Sequence, residues 1–427
     1  MNLNEVMNNA YDAFMHYVMQ TPILLLHPDG RYRSIVIAKL ISTDDANIFY
    51  YSLRSDDINL QAFIESLSHE MINQHPTFGR HLNMLPSEVY DDVEGNMELL
   101  TTTFARELHE LSDQPFAFVL DEYDRSDDAD DLHIFTEQLA SVLPEHAHLV
   151  LNGRTLPRLP WVALIAKNQA LMLRDDELIQ RNFNGVTESD SYDLEVFALG
   201  PGTVKLNGEP INVWEGHLPR LLFFFALDKP VVTRSEICSA FWPDLATDQA
   251  VNVFHVTKRR LHKALGIDVL VHEDSHYRVN PDLNVYYDVL DFVETLMEGR
   301  DSETEEPFES WQKASKLYEG AFLMGHNDKW IVNRRQAFRA GYLEALTNMA
   351  EAWVGKDRKE IALKLYRQAL DEDYSRQDIH RNIMQLYSEL GRQSEAVAHY
   401  QELEKSFNDS GMVIENETSD MYGQVVG

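Results

Sequence analysis

The chain has 427 residues and a formal net charge of −33, with 37 basic against 70 acidic side chains. Such acidity opposes indiscriminate polyanion binding and excludes a general nucleic-acid coat, but it leaves room for one local basic surface. One cysteine, Cys238, excludes an internal disulfide framework, and no apolar run reaches membrane-spanning length. A reducing cytoplasm is therefore the expected compartment, with no membrane partner and no signal peptide at Met1-Asn-Leu-Asn-Glu.

Residues 1–184 alternate apolar strands with helical segments. The strands are expected at Pro22–Leu26, Asn47–Tyr51, Phe116–Leu120, His148–Asn152 and Ala170–Leu173. Continuous apolar runs separated by helices predict a parallel α/β sheet covered on both faces. Phe118-Val-Leu-Asp121-Glu122 resembles a Walker B strand, in which the first acid holds Mg²⁺ and the second orients a water. Leu151-Asn-Gly-Arg154 with the spaced prolines Pro157 and Pro160, and Tyr51-Ser-Leu53 before Asp56-Asp57, resemble the LuxR-type large ATP-binding regulators of the STAND class. That resemblance implies a P-loop NTPase-like domain.

The phosphate loop of such a domain needs two glycines, so that backbone N–H groups can wrap phosphates, followed by Lys-Ser/Thr. The corresponding stretch here is His27-Pro28-Asp29-Gly30-Arg31-Tyr32-Arg33-Ser34. Pro28, Gly30 and Ser34 match, but His27 stands where glycine or alanine is expected, Tyr32 where bare backbone is favoured and Arg33 where lysine is expected. Asp29 adds a negative charge where phosphates would sit. Gly30, Arg33, Ser34, Asp121 and Glu122 are thus read as vestigial. The expectation is a degenerate domain without hydrolysis, without a bound cofactor, and used for docking or regulation. The acidic run Asp124–Asp131 is expected to be a solvated loop.

Residues 185–192 are polar and turn-rich and are read as a linker. The next segment, 193–288, centres on a helix expected from Thr247 to Gly266. Ala250, Phe254, Leu261 and Leu265 recur on one side at helical spacing, with Val253 and Ala264 flanking. Asn252, His255, Val256, Arg259 and Lys263 fall on the other. Thr247 or Asp248 is the expected cap, and Gly266 the left-handed stop. From Asn252 to Gly266 there are four Lys and Arg residues and no acid, a local reversal of sign in an acidic chain. A solvated amphipathic helix gives the same pattern, so the flanks decide. Before it lies Pro230–Pro243, a capped short helix closed by Trp242-Pro243. After it, Val269–His272 and His276–Val279 predict a hairpin.

With Leu199-Gly200, Asn207-Gly208, Phe241-Trp242, Leu265-Gly266 and Tyr277-Arg278-Val279, this segment resembles the OmpR-type winged helix of SARP-type bacterial transcriptional activators. The resemblance implies double-stranded DNA as partner. Asn252, His255, Val256, Arg259 and Lys263 would face the major groove, Lys258 and Arg260 would meet phosphates, and Arg278 would lie on the wing. Glu273 and Asp274, at the expected wing tip, oppose that role.

From Val289 to the end, residues 289–427, the periodicity is helical throughout. Helices are expected at 289–297, 308–318, 329–354, 359–370, 376–390 and 394–407, with an acidic loop at Gly299–Pro307. Ala362-Leu-Lys-Leu-Tyr366 recurs 34 residues later as Ala396-Val-Ala-His-Tyr400, preceded by Gly355 and Gly391 respectively. That is the tetratricopeptide period, in which small alanines let paired helices approach. Tyr318-Glu-Gly-Ala-Phe-Leu323, Trp330, Arg334-Arg335 and Leu390-Gly-Arg392 resemble the bacterial transcriptional activator domain of SARP-type proteins. The tail, Ser410–Glu415, departs from that pattern.

The expected fold is therefore multidomain: a degenerate P-loop NTPase-like α/β domain, a winged helix-turn-helix, and an all-α tetratricopeptide-like domain. The expected function is a sequence-specific DNA-binding transcriptional regulator, by resemblance an activator, and not an enzyme. RNA polymerase or another protein is the expected partner of the helical domain, and a homodimer is compatible with it. No histidine or cysteine spacing fits a metal site, and no catalytic residue is assigned. Two other readings stand beside this one: an interaction scaffold whose winged helix does not bind DNA, and a nucleotide-controlled switch.

Overall fold

Five short runs of branched and aromatic residues pair into one parallel sheet: β1 Ile23–Leu26, β2 Ile48–Ser52, β3 Phe116–Asp121, β4 Ala147–Asn152 and β5 Ala170–Met172. The computed structural model that shows them describes residues 11, 14–28, 33–42, 47–72, 75–173, 192–273, 275–301 and 307–426. Residues 1–198, 202–290 and 326–332 make one compact unit, and residues 199–201, 291–325 and 333–427 a second.

In the first unit the sheet order is β2-β3-β4-β1-β5. Parallel neighbours need crossovers, supplied by α1 Arg33–Ser42, α2 Leu60–Ile72, α3 Met97–Leu111, α4 Asp130–Leu139 and α5 Trp161–Ala166. Alternation along β3 divides its side chains between two cores. Ala117 and Val119 join Phe14, Val18, Leu24, Leu26, Val36 and Leu40. On the opposite face Phe118 meets Phe104 of α3 at 6.4 Å, and Phe104 meets Phe135 of α4 edge-on at 5.3 Å. Burial on both faces is why these strands read as unbroken apolar runs. The chain leaves β1 for the far edge of the sheet, so the crevice beyond the carboxyl ends of β1, β3 and β4 is the topological switch point.

Among the described residues the same unit contains two further sheets and three further whole helices. Strands β6 Leu194–Phe197, β7 Thr203–Leu206 and β8 Glu209–Pro210 form an antiparallel meander, and β12 Val285–Tyr287 pairs parallel to β6. Asn207 and Gly208 both have positive φ, which turns the two-residue hairpin between β7 and β8. They therefore make a turn rather than lying within the strands, whereas Leu199 after β6 forms an isolated antiparallel bridge with Phe322. Helix α6, Leu218–Asp228, is apolar all round and correspondingly buried, from Leu221 through Leu227. Next come β9 Val232–Thr233, α7 Arg234–Phe241, α8 Thr247–Leu265, β10 Leu270–Glu273 and β11 His276–Val279. The last two strands form a hairpin, and β9 adds to its edge in the order β10-β11-β9. Residues 174–191, with most of the expected linker, lie outside the described residues.

The second unit is helical: the latter part of α9 Asp288–Arg300, α10 Pro307–Leu317, most of α11 Lys329–Gly355, α12 Lys359–Glu372, α13 Gln377–Glu389, α14 Gln393–Ser410 and α15 Asn416–Val426. Gly299 belongs to α9 and not to a loop. A Cβ there would stand 2.6 Å from the Trp311 indole, so only glycine lets α10 approach. The Tyr318–Leu323 stretch is fixed by stacking of Tyr318 on Tyr342 at 4.2 Å and by Arg335, which donates to the carbonyls of Phe322 and Leu323 at 3.1 Å.

The 34-residue recurrence is structural. Ala362, Tyr366, Ala396 and Tyr400 are all buried. Arg358 N–H donates to Trp353 O at 2.8 Å, and Arg392 N–H to Tyr387 O at 2.7 Å, the same bond one repeat apart. The left-handed position of this turn is filled by Asp357 (φ 56°) in one repeat and Gly391 (φ 71°) in the other. Gly355 therefore is not the counterpart of Gly391. Helix α15 lies within the region expected to be helical but beyond 407, where the last expected helix ends; Tyr422 stacks on Tyr400 at 4.0 Å, and Arg381 holds Glu415 at 2.6 Å and Thr418 at 2.9 Å.

Candidate functional site

Helix α8 divides as its periodicity requires. Ala250, Phe254, Leu261 and Leu265 are buried, with Thr257, whose hydroxyl donates to Val253 O at 2.9 Å. Asn252, His255, Val256, Arg259, Arg260 and Lys263 are exposed, and Lys258 is half-buried. Val256 is 46% exposed, an apolar side chain left open among polar ones. Gly266 ends the helix in the left-handed region with φ 71°, as expected. The N-cap is Ala246, without a side-chain bond, so neither Thr247 nor Asp248 caps; Thr247 is already the first helical residue.

The hairpin braces this helix. Phe254 meets Tyr277 of β11 edge-on at 5.0 Å, and the Lys258 ammonium lies over the same ring at 5.4 Å. Helix α7 is held by a capping box: Thr233 Oγ1 accepts from Glu236 N–H at 3.0 Å, and the Glu236 carboxylate accepts from Thr233 N–H at 2.8 Å.

Two acids meet the basic face. Glu215, in the loop before α6, pairs with Lys263 and, at 3.6 Å, with Arg260. Glu273 pairs with Arg278 across the hairpin. The Glu215 pairing was not legible in the sequence, because that carboxylate comes from a loop 48 residues from Lys263 with no fixed spacing to it. The face therefore offers Asn252, His255, Val256 and Arg259 as its least engaged groups: an amide, an imidazole, a pair of methyls and a guanidinium. Asp274 lies outside the described residues.

The crevice at the strand ends is internally satisfied. Asp121 accepts from the Tyr50 hydroxyl, from the Asn152 amide and, at 2.7 Å, from Glu122 N–H. Burial and the Asp121 charge together push the Tyr50 hydroxyl well up. Glu122, in the left-handed region, pairs with Arg125. Arg33 donates to Gly153 O at 2.7 Å and to Asn152 Oδ1 at 3.4 Å. Gly30 lies outside the described residues, as does the side chain of Ser34. Among the described residues the arrangement does not suit a Mg-nucleotide: Asp121, which would take the metal, is committed to three protein donors, and Arg33 is spent on a carbonyl and an amide. Tyr50 and Asn152 were missed as members of this site. Among the described residues no group of three or more His, Cys, Asp and Glu is placed to hold a metal ion.

The acidic run after β3 is not the solvated loop expected. Asp124 accepts from Arg154 N–H and Nε at 2.9 Å, and Asp127 from the Thr155 hydroxyl at 2.9 Å. Arg158, 1% exposed, donates to Asp127 O, to Asp130 at 2.9 Å and to Glu236 of α7 at 2.5 Å, and Lys229 reaches the other Glu236 oxygen at 2.9 Å. Burial alone would raise the Glu236 carboxyl, but Lys229, Arg158 and the Thr233 amide outweigh it and hold it at about 2.

The fold is thus that of a multidomain chain with a parallel α/β region, a three-helix segment with a hairpin, and an all-helical C-terminal region. Residues 287–425 match the bacterial transcriptional activator domain, and this chain carries that domain. No protein of curated function is similar in sequence. Among solved structures, EmbR of Mycobacterium tuberculosis, in complex with a low-affinity phosphopeptide, is similar over 55% of this chain at 19% identity and a TM-score of 0.46. A signal transduction ATPase with numerous domains (STAND), with a tetratricopeptide repeat sensor, from Pyrococcus horikoshii, is aligned over all of this chain at 11% identity and a TM-score of 0.25. The chain covers 65% and 66% of these two proteins, just under two thirds of each. Among the described residues no helix is long and apolar enough to cross a membrane.

Proposed function

We propose that this chain is a sequence-specific DNA-binding transcriptional regulator, an activator and not an enzyme, in which residues 193–288 form a winged helix. Residues 1–184 are a degenerate P-loop NTPase-like region that docks and regulates, 185–192 a linker, and 289–427 the tetratricopeptide-like activator domain. The observation that carries this reading is the exposed face of α8. It has no acid from Asn252 to Gly266, offers base-reading groups at helical spacing, and is braced by the hairpin through Phe254 and Tyr277.

In this reading α8 enters a major groove. Arg259 is the candidate for a bidentate guanine contact, Asn252 for adenine, and Val256 for a thymine methyl. His255 completes the groove face with Lys263. Lys258 and Arg260 meet phosphates, and Arg278 serves the wing. The helical domain contacts RNA polymerase or another protein. The scaffold reading is favoured by one observation, that Glu215 and Glu273 already pair with Arg260, Lys263 and Arg278.

Selection of duplexes from a random DNA pool by the full chain at moderate salt tests the proposal. The expected result is a recurrent motif bound saturably, with log affinity falling by about 0.9 per phosphate contact against log salt. Absence of saturable binding at low salt by a folded chain overturns it in favour of the scaffold.

A further inference from the structure

The segment between β3 and the first turn of α4, residues 124–131, does more than cross the top of the sheet. Asp130 bridges two elements: one oxygen accepts from Arg158 at 2.9 Å and the other from the Thr233 hydroxyl, the cap of α7, at 3.0 Å. The N-terminus of a helix with a free hydroxyl beside it attracts an anionic oxygen. Here a carboxylate of the chain itself takes that position. Asp128 is exposed beside it. Both acids line a depression of about 490 Å³ whose other walls include Arg234 of α7, Thr247 and Val251 in the first turns of α8, and Ser275 at the hairpin tip. Burial raises the Asp127 carboxyl, and the Thr155 hydroxyl, Arg158 and the His276 ring of β11 offset only part of that rise.

The two elements that would touch DNA therefore border a cavity whose third side is acidic. A duplex that takes α8 into its groove brings phosphates towards this rim. We propose that the 124–131 loop is an autoinhibitory contact, an internal polyanion mimic that caps α7 through Asp130, sets Asp128 on the approach to α8, and lowers the affinity of the intact chain for duplex DNA. This inference rests on the winged-helix reading of α7, α8 and the hairpin. The loop is anchored by hydrogen bonds and ion pairs of Arg158, contacts whose strength depends on keeping water out.

The test compares the full chain with Asp128→Asn and with Asp128→Asn/Asp130→Asn, titrated against a labelled random-sequence duplex of about 20 base pairs at low and at high salt. Asparagine at 130 keeps one of the two acceptor oxygens, the one that faces Arg158, and its amide then donates to the Thr233 hydroxyl; melting midpoints verify folding. A control variant, Glu404→Gln/Asp409→Asn in α14, sets the size of the general charge effect. Each loop charge removed should tighten binding about two- to threefold at low salt, more than the control does, with the difference shrinking at high salt. Affinities equal to those of the control variant overturn the autoinhibitory contact and leave the winged helix standing. No binding by any of the chains at low salt overturns both.

Discussion

Replacing Glu236 by glutamine tests the most buried charge cluster in the first unit. The side chains of Arg158, Glu236 and Lys229 are 1%, 5% and 8% exposed, so all three charges sit away from water. Glu236 accepts from Arg158, Lys229 and Thr233 N–H. Glutamine preserves the shape and one acceptor oxygen, but it turns an amide N–H₂ towards one of the two cations. Arg158 then keeps Asp130, while Lys229 loses its pair with the Glu236 carboxylate. Removing one partner of a buried pair costs about 3–5 kcal/mol. The sign of the pH dependence gives a second estimate. The carboxyl sits at about 2 in the folded chain against an ordinary 4.5, so its contribution is complete above pH 4.5 and lost as pH falls towards 2. That difference corresponds to about 3 kcal/mol, in the same range. The assay is hydrogen exchange of the α7 amides at pH 7, with the melting midpoint of the full chain beside it. Protection at α7 should fall by roughly two orders of magnitude in Glu236→Gln. Protection within a factor of about three of the wild type would show that the cluster does not hold α7 to the α/β region, and would refute the reasoning.

The other predictions concern the α8 face and the second unit. Glu215→Gln frees Lys263 and Arg260 and should tighten duplex binding about two- to fivefold, with a steeper salt dependence; unchanged titrations would show that the pairs seen here do not compete with phosphates. Lys258→Ala should weaken all sequences alike and flatten the salt slope by about one unit, whereas Arg259→Ala should relax preference at one base position; identical effects of the two substitutions would contradict the assigned orientation of α8. Phe254→Ala empties a fully buried site against Tyr277 and should destabilise by about 3–5 kcal/mol without altering base preference, read by denaturant unfolding and by repeated duplex selection. Burial, with His380 and Arg367 nearby, lowers His399 to about 4. Its contribution is therefore present above pH 6.5 and lost as pH falls towards 4, so wild type should lose up to about 2 kcal/mol between pH 7.5 and 5 and His399→Gln should lose less.

What the sequence made legible follows from the range of the interactions that produce it. The five strands and the buried side of α8 come from local alternation and periodicity, and Gly266 from a conformation few other residues adopt. The corrections arise where a choice is nearly balanced or distant. Ala246 rather than Thr247 or Asp248 caps α8, and Asp357 rather than Gly355 takes the left-handed turn, because an offset of one or two residues changes little locally. Helix α15 lacks a strong apolar stripe and owes its place to Tyr400 and Arg381. Arg158 and Glu236 lie 78 residues apart, so a run of aspartates that looked solvated is held by a partner no local pattern names. That arginine stands at position 33 where a phosphate loop has lysine was legible, but the use made of Arg33 was not, since it depends on the carbonyl of Gly153 arriving from β4.

Cys238 is the one sulfhydryl in the chain, and it lines the depression between the acidic loop and α7. Burial raises its thiol and leaves little thiolate to react, so a maleimide or disulfide reagent meets it slowly while the loop is seated. In the autoinhibitory reading, lifting the loop opens the depression on which that sulfur lies. The labelling rate of the unaltered protein thus becomes a stopwatch for the opening of the α8 approach, with no reporter to introduce and no second thiol to confuse the trace.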